Sequence, residues 1–326
     1  MIRRYCKWIV PVAGTWAVLA LCVSQLQAND CDQCDAPCAS CDSQDCCENS
    51  CGDCLGSWLD NTQIWIGGES FKGLGDSLLP SGTVAGFTNS AGLVSGFNTG
   101  FGLGDSRIRA QVGASFGLYD LKGRDTVTPS SLEQQYFITA GFYKRSDICN
   151  DERISWAVVY DQFIGHQWGL FADNVAAGQI RSLAGYALND SNEVGVWTTV
   201  HIGTTSTTNG TMRAMNQGNL YWRHNYEFGG STMGYVGAVD PADVGSWQFG
   251  FLGTAPLNHK VSLYGNYVYS FPGSATGFVG SSDELWSVSA GLMFSFGGKA
   301  FSKNISGQQG LPLLSVANNG SLMLTN

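Results

Sequence analysis

Between residues 106 and 119 the chain alternates without a break. Ile108, Ala110, Val112, Ala114, Phe116 and Leu118 take one parity, and Arg107, Arg109, Gln111, Gly113, Ser115 and Gly117 the other. Period two puts the two sets on opposite faces of a β-strand. A typical soluble strand has about five or six residues, and about nine to eleven tilted residues cross a bilayer. An apolar face opposite one carrying two arginines suits a strand with lipid outside and a polar lumen inside. The alternative is a long strand of a soluble sandwich.

The same pattern recurs downstream. Leu132, Tyr136, Ile138, Ala140 and Phe142 oppose Glu133, Gln135 and Thr139. Val261, Leu263, Tyr267 and Tyr269 oppose Lys260, Ser262, Tyr264 and Asn266. Trp286, Val288, Ala290, Leu292, Phe294 and Phe296 oppose Ser287, Ser289, Gly291 and Ser295. Helical periodicity is almost absent after residue 60. Turn residues divide the chain into strands at 62–71, 92–103, 106–119, 132–144, 153–163, 178–188, 193–203, 218–228, 231–239, 246–252, 260–269 and 285–296. Long connections (72–91, 120–131, 166–177, 204–217, 271–284) alternate with short ones such as Gly104-Asp105, 189–192 and Gly229-Gly230. Such alternation fits a barrel with one rim outward and one facing the periplasm. Backbone polar groups meeting lipid must all be paired, which closes the sheet. The expected fold is all-β, an antiparallel transmembrane β-barrel of about 12 strands (10–14). Its lumen would be lined by Arg107, Arg109, Gln111, Glu133, Gln135, Gln179, Arg181, Arg223 and Glu227, with Ile108, Val112, Phe116, Ile138 and Phe142 facing lipid. Glycine, at 43 of 326 residues, is about twice as frequent as usual. Inside strands it relieves crowding on a small barrel's inner wall.

Residues 1–28 carry Arg3, Arg4 and Lys7, then an apolar run from Trp8 to Val23, then Leu26-Gln27-Ala28. This reads as a secretory signal cleaved after Ala28, with a lipoprotein signal ending at Cys22 as the alternative. Cleavage takes the net charge from −9 to −12. Residues 29–60 hold eight acidic residues, no basic one, and Cys31, Cys34, Cys38, Cys41, Cys46, Cys47, Cys51 and Cys54. In an exported chain this density implies disulfides or cross-links to other envelope proteins; clustered thiolate metal binding is the alternative. With no basic patch, nucleic acid is excluded as a partner. The organisation is therefore a signal (1–28), a Cys-rich acidic periplasmic segment (29–60), a barrel (61–296) and a C-terminal extension (297–326). Leu311, Leu313, Leu314, Leu322 and Leu324 suit that extension to a short strand or to packing at a barrel mouth.

Carried by these alternating strands and by the aromatic-ended Leu292-Met293-Phe294-Ser295-Phe296, the chain resembles outer-membrane β-barrels. Its Cys-rich leader is also similar to that of uncharacterised exported barrels of planctomycete bacteria. The resemblance implies an outer-membrane location, lipid as partner and no catalytic residues. The extension past Phe296 departs from that superfamily, whose last strand usually ends the chain.

HExxH and GxSxG are both absent. Asp161 and His166, with Ser155 or Ser182 across the wall, are the one candidate hydrolase constellation. No cofactor or metal is expected. The function expected is a porin-like or structural envelope role. A barrel-embedded envelope hydrolase and a soluble sandwich binding wall components are the alternatives.

Overall fold

The computed structural model describes residues 57–73, 90–103, 106–121, 132–169, 172–208, 210–240, 245–272 and 285–325. The expected signal peptide and Cys31 to Cys54 lie outside the described residues. A single helical turn, Ser57–Asp60, leads into β1 (Thr62–Lys72). There follow β2 (Ser90–Leu103), β3 (Ser106–Tyr119), β4 (Glu133–Lys144), β5 (Ile154–Trp168), β6 (Asp173–Asn189) and β7 (Asn192–Ile202). A short hairpin, β8 (Thr205–Thr207) and β9 (Gly210–Ala214), interrupts the series. It resumes with β10 (Asn216–Asn225), β11 (Ser231–Asp240), β12 (Gly245–Pro256), β13 (Val261–Pro272) and β14 (Leu285–Ser295). A two-residue strand, β15 (Leu324–Thr325), lies near the C-terminus.

Twelve of these strands form a closed antiparallel barrel of the transmembrane type, each paired with its neighbour in sequence except that β7 pairs with β10. The ring closes between β1 and β14, from Gln63↔Ser295 to Lys72↔Trp286. A closed sheet has no edge, so every strand has two partners. All twelve strands expected from the sequence are present. The soluble sandwich is thereby excluded. The largest boundary differences surround β5 and β6, which reach Trp168 and start at Asp173. The long loop expected at 166–177 is therefore mostly strand. The ladder runs from Ile154↔Tyr186 to Gly165↔Val175 and, past an irregularity, to Trp168↔Asp173. Polar residues at a strand end, such as His166, Gln167 and Asn174, mark departure from lipid and need not end the pairing.

Parity sorts the side chains. Gln111, Glu133, Gln135, Thr139, Asp161, Gln179 and Arg181 are buried inside, whereas Val112, Ile138, Phe142, Val158, Ile180, Val196, Leu220 and Leu292 are exposed outside. The exterior is thus a continuous apolar band. Aromatic clusters mark its two ends. Trp222, His224, Tyr226 and Phe228 pack in succession towards the end of β10, and Phe249, Tyr269 and Phe271 pack where β12 starts and β13 finishes. Aromatic girdles of this kind sit at membrane interfaces.

The interior departs from a wet lumen. Phe137, Phe163, Leu183, Trp197, Tyr235, Val268 and Leu285 point inward and are buried. They form one hydrophobic cluster with Leu313, Leu314, Val316, Ala317, Leu322, Met323 and Leu324 from beyond β14. The C-terminal extension runs inside the barrel.

Cysteines replacing Ile108 or Val112 should place a fluorophore where brominated lipid quenches it, and one replacing Gln111 should resist aqueous maleimide in the folded protein. Aqueous labelling at 108 and 112 with protection from lipid would reverse the facing.

Candidate functional site in the barrel lumen

The rim where β1 begins is here called proximal, and the opposite rim distal. After Ser295 the chain turns at the proximal rim and re-enters the barrel. Lys299 Nζ donates to Asn61 Oδ1 and to the Gln309 carbonyl, both at 2.7 Å. The Ile305 amide bonds the Asp190 carbonyl (2.9 Å), Gln308 Nε2 donates to Asn225 Oδ1 (3.0 Å) and Gln309 Nε2 to the Ser146 carbonyl (2.7 Å). These partners lie at the strand ends and in the proximal connections.

From Gly310 the segment runs through the lumen with almost no regular secondary structure. Its backbone groups have no ladder to join, and buried ones need partners. Inward side chains supply them. Tyr143 Oη donates to the Gly310 carbonyl (2.6 Å), Arg145 Nε to Leu311 (2.8 Å) and Arg145 Nη2 to Pro312 (2.6 Å). The Leu314 carbonyl accepts from Asn98 Nδ2 (2.9 Å) and Gln111 Nε2 (3.1 Å), and that of Ser315 from Arg181 Nη2 (2.7 Å). The Ala317 amide donates to Thr139 Oγ1 (3.0 Å), and the Ser321 carbonyl accepts from Gln179 (3.1 Å) and Gln217 (3.2 Å). At the distal end the Met215 amide bonds the Met323 carbonyl (2.8 Å), and β15 pairs with β9 through Leu324↔Ala214 and Thr325↔Arg213. The segment spans the lumen from rim to rim and is tied at both ends.

Two glycines set its path. A Cβ on Gly113 would fall 2.4 Å from Val316 Cγ2, so the bare wall at β3 is the seat of that valine. Gly310 has φ +90°, and a Cβ there would lie 2.1 Å from Asn61 Oδ1, so the bend into the lumen admits only glycine.

Buried charges are arranged in two ways. Asp161 forms an ion pair with Arg181, whose Nε lies 3.0 Å away, and accepts hydrogen bonds from Arg181 Nη2 (3.1 Å), Thr139 (2.6 Å) and Gln179 (2.9 Å). Glu193 accepts from Arg223 (3.0 Å), Tyr221 (2.8 Å) and Ser155 (2.8 Å). Glu69 accepts from Tyr119 and Ser287. Arg145 differs: its third donor meets Gln308 Oε1 (3.0 Å), so its observed partners are all neutral oxygens of the C-terminal segment. Burial, helped by Arg223, lowers the Arg145 pKa to about 10. Lys299, likewise held by neutral oxygens, is lowered to about 8 by burial and by Arg109 and Arg145.

Of the residues expected in the lumen, Gln111, Gln179 and Arg181 face inward and hold the C-terminal segment. Glu133 and Gln135 are buried and bonded to each other (2.5 Å). Arg223 pairs with Glu193, and Arg109 takes the inward parity of β3 beside Lys299. Two departures appear. Arg107 is half-exposed at the proximal rim, paired with Glu152 (2.9 Å), which also binds Lys144 (2.8 Å). Glu227 is exposed in the turn after β10. Each lies at a strand end, where parity no longer dictates depth. The expected lumen lining lacked Asn98, Tyr143, Arg145 and Gln217, and included Thr139 only as a member of the polar face of its strand; parity flags Asn98 and Tyr143, whereas Gln217 falls in an expected loop and Arg145 follows β4.

The hydrolase constellation is not assembled. Asp161 and Ser155 lie inside, engaged by Arg181 and Glu193, whereas Ser182 bonds Thr198 across the wall (2.8 Å). His166 is exposed and meets Asn174 (3.0 Å), and His201 meets Asn216 (2.9 Å) and Arg213 (2.8 Å).

The segment leans on one side of the wall, from β2 to β7 and β10. Opposite, a cavity of about 300 Å³ remains between it and the wall made by β11–β14 and β1. Trp65, Met233, Leu252, Tyr264 and Met293 line that wall, and Leu311 to Ala317 the other side.

Residues 61–324 match the model of DUF6666, a family of unknown function. The chain belongs to this family. The DUF6666 match takes in the lumen segment as well as the barrel strands. Comparison with curated proteins gives no match. Among solved structures, the chain is similar to the COG4313 outer membrane channel from Pseudomonas putida F1 (TM-score 0.46, 10% identity, 72% of this chain and 95% of that one). It is similar also to the Salmonella typhi outer membrane phospholipase dimer with bound calcium (0.43, 11%, 71% and 90%) and to a Pseudomonas aeruginosa FadL homologue (0.38, 8%, 72% and 89%).

Replacing Arg145 by Ala strands the carbonyls of Leu311 and Pro312, at about 1–3 kcal/mol per buried acceptor. Amide exchange across 311–325 should speed up by tenfold or more, and Arg145→Lys should restore it only partly because an ammonium lacks the planar fork. The pH dependence of Lys299 has a definite sign. Unfolded chains bind its proton up to the ordinary value near 10.5 and the folded one only to about 8, so stability rises with pH through that window. Thermal unfolding followed from pH 7 to pH 10 should show this gain, and Lys299→Met should remove it.

Proposed function

We propose that this DUF6666 protein is an outer-membrane barrel kept closed by its own C-terminal segment, so that solute passes only when the segment leaves its seat. The observation that carries the reading is the string of wall-to-segment hydrogen bonds from Tyr143–Gly310 to Met215–Met323, which spans the lumen. An open general pore would leave inward polar groups to water. Here Gln111, Gln179 and Arg181 bond the segment, and large apolar side chains share the interior.

The membrane location is supported by the closed sheet, the exposed apolar exterior and the aromatic clusters at both ends. The proximal rim faces the periplasm in this reading. The signal sequence exports the chain, β1 begins at that rim, and the longer connections gather at the distal one. Lipid is then the partner of the outer face, and the cysteines cross-link internally or to neighbouring envelope proteins. The resemblance to Cys-leader exported barrels of planctomycete bacteria belongs to the same reading.

Reconstituted in planar bilayers, the full-length protein should be nearly silent, and a variant ending after Gly310 should show discrete open steps. Both should migrate differently on gels with and without boiling, as folded barrels do. Steady conductance by the full-length protein would overturn the closure.

A further inference from the structure

The cavity beside the C-terminal segment carries more positive charge than its surroundings balance. Arg145, Arg181, Arg223 and Lys299 all line it. Arg181 and Arg223 are matched by Asp161 and Glu193. Arg145 and Lys299 meet only neutral oxygens among their observed hydrogen-bond partners, and Arg109 lies close enough to act on Lys299. Among the described residues the one carboxylate on the lining, that of Glu69, is engaged by Tyr119 and Ser287. With Arg109 and with Asp60, which also acts on Lys299, five cations stand against Glu69, Asp161, Glu193 and Asp60 among the described residues, and one positive charge is left over. Burying an unmatched charge is costly, and an anion offsets the cost.

A second observation is independent of the charges. Trp197 Nε1 and Tyr264 Oη are buried on the lining without a hydrogen-bond partner among the described residues. Orphaned buried groups of this kind are few in folded proteins and commonly mark a ligand or ordered water. The indole N–H is a pure donor and so calls for an acceptor. The same lining carries Trp65, Met233, Leu252 and Met293, which suit a hydrocarbon or aromatic body. Pockets of about 300 Å³ are at the small end for organic ligands.

We propose that this cavity is a binding site for a small organic monoanion with an apolar body, its acid group beside Arg145 and Lys299 and its body among Trp65, Leu252 and Met293. Such a ligand supplies the missing negative charge and offers acceptors to the orphaned donors. The inference requires the C-terminal segment to be seated but not that it ever moves. Its failure therefore leaves the closure reading standing.

The test uses the full-length protein in nanodiscs, with 4-(trifluoromethyl)benzoate as probe and 4-(trifluoromethyl)benzamide as its uncharged counterpart, followed by fluorine NMR. The benzoate should bind saturably and at least tenfold more tightly than the amide. Lys299→Met should weaken the benzoate severalfold and leave the amide unchanged. Trp197→Phe, which removes the N–H and keeps an aromatic ring, should weaken it while leaving the boiled and unboiled gel mobilities as in the parent. No saturable benzoate binding at millimolar probe would overturn the proposal, as would equal affinity for acid and amide. Binding indifferent to both substitutions in folded protein would do the same.

Discussion

An irregular stretch of backbone inside a barrel must find a partner for every buried amide and carbonyl, and it cannot find them in itself. This constraint governs the structure. Asn98, Gln111, Thr139, Tyr143, Arg145, Gln179, Arg181 and Gln217 act as a fixed array of donors and acceptors for residues 310–321. The wall and the segment complete one another. Without the segment, a wall rich in amides and guanidinium groups would face the same lumen as Phe137, Phe163 and Trp197, an awkward lining for water or solute. With it, apolar residues from both sides form one core, and the polar ones serve as its hydrogen-bonding frame.

The charges divide along the same line. Arg181–Asp161 and Arg223–Glu193 are buried pairs whose carboxylates gain further donors, the condition under which a buried pair recovers its desolvation cost. Arg145 instead uses its planar fork on two consecutive carbonyls of the segment. A guanidinium serves there because it can reach both oxygens at once and, even with its pKa lowered to about 10, keeps its charge at neutral pH. Closure of the lumen thus depends on a cation whose charge is left unmatched, and the adjoining cavity lies beside that excess. The seat of the segment and the cavity's preference for negative charge share a cause.

The barrel was legible because lipid imposes a local rule. Strand by strand, an apolar face must alternate with an inward one, so Val112, Ile138 and Leu292 could be assigned outward from parity alone. Closure also followed locally, since no unpaired edge survives in lipid. Parity failed where lipid stops acting. Arg107 sits at a rim and Glu227 in a turn, whereas at His166 the strand simply runs longer than the turn residues suggested.

What fills the interior was beyond such reasoning. Leu311 to Leu324 carry no periodicity, and a leucine-rich tail alone fits a short strand, a cap on one mouth or a plug. Its course depends on contacts more than a hundred residues away in sequence, such as Gln111 with Leu314 and Gln217 with Ser321. The same holds for Arg145, which as an arginine after a strand reads as a solvated rim residue until the segment covers it. The sequence by itself determined that the chain closes a wall of about twelve strands and which face of each strand points outward, because those are properties of neighbours in the chain. Only the tertiary structure decided that the lumen is occupied, because that depends on the fit between a wall assembled from twelve strands and a segment drawn back through it.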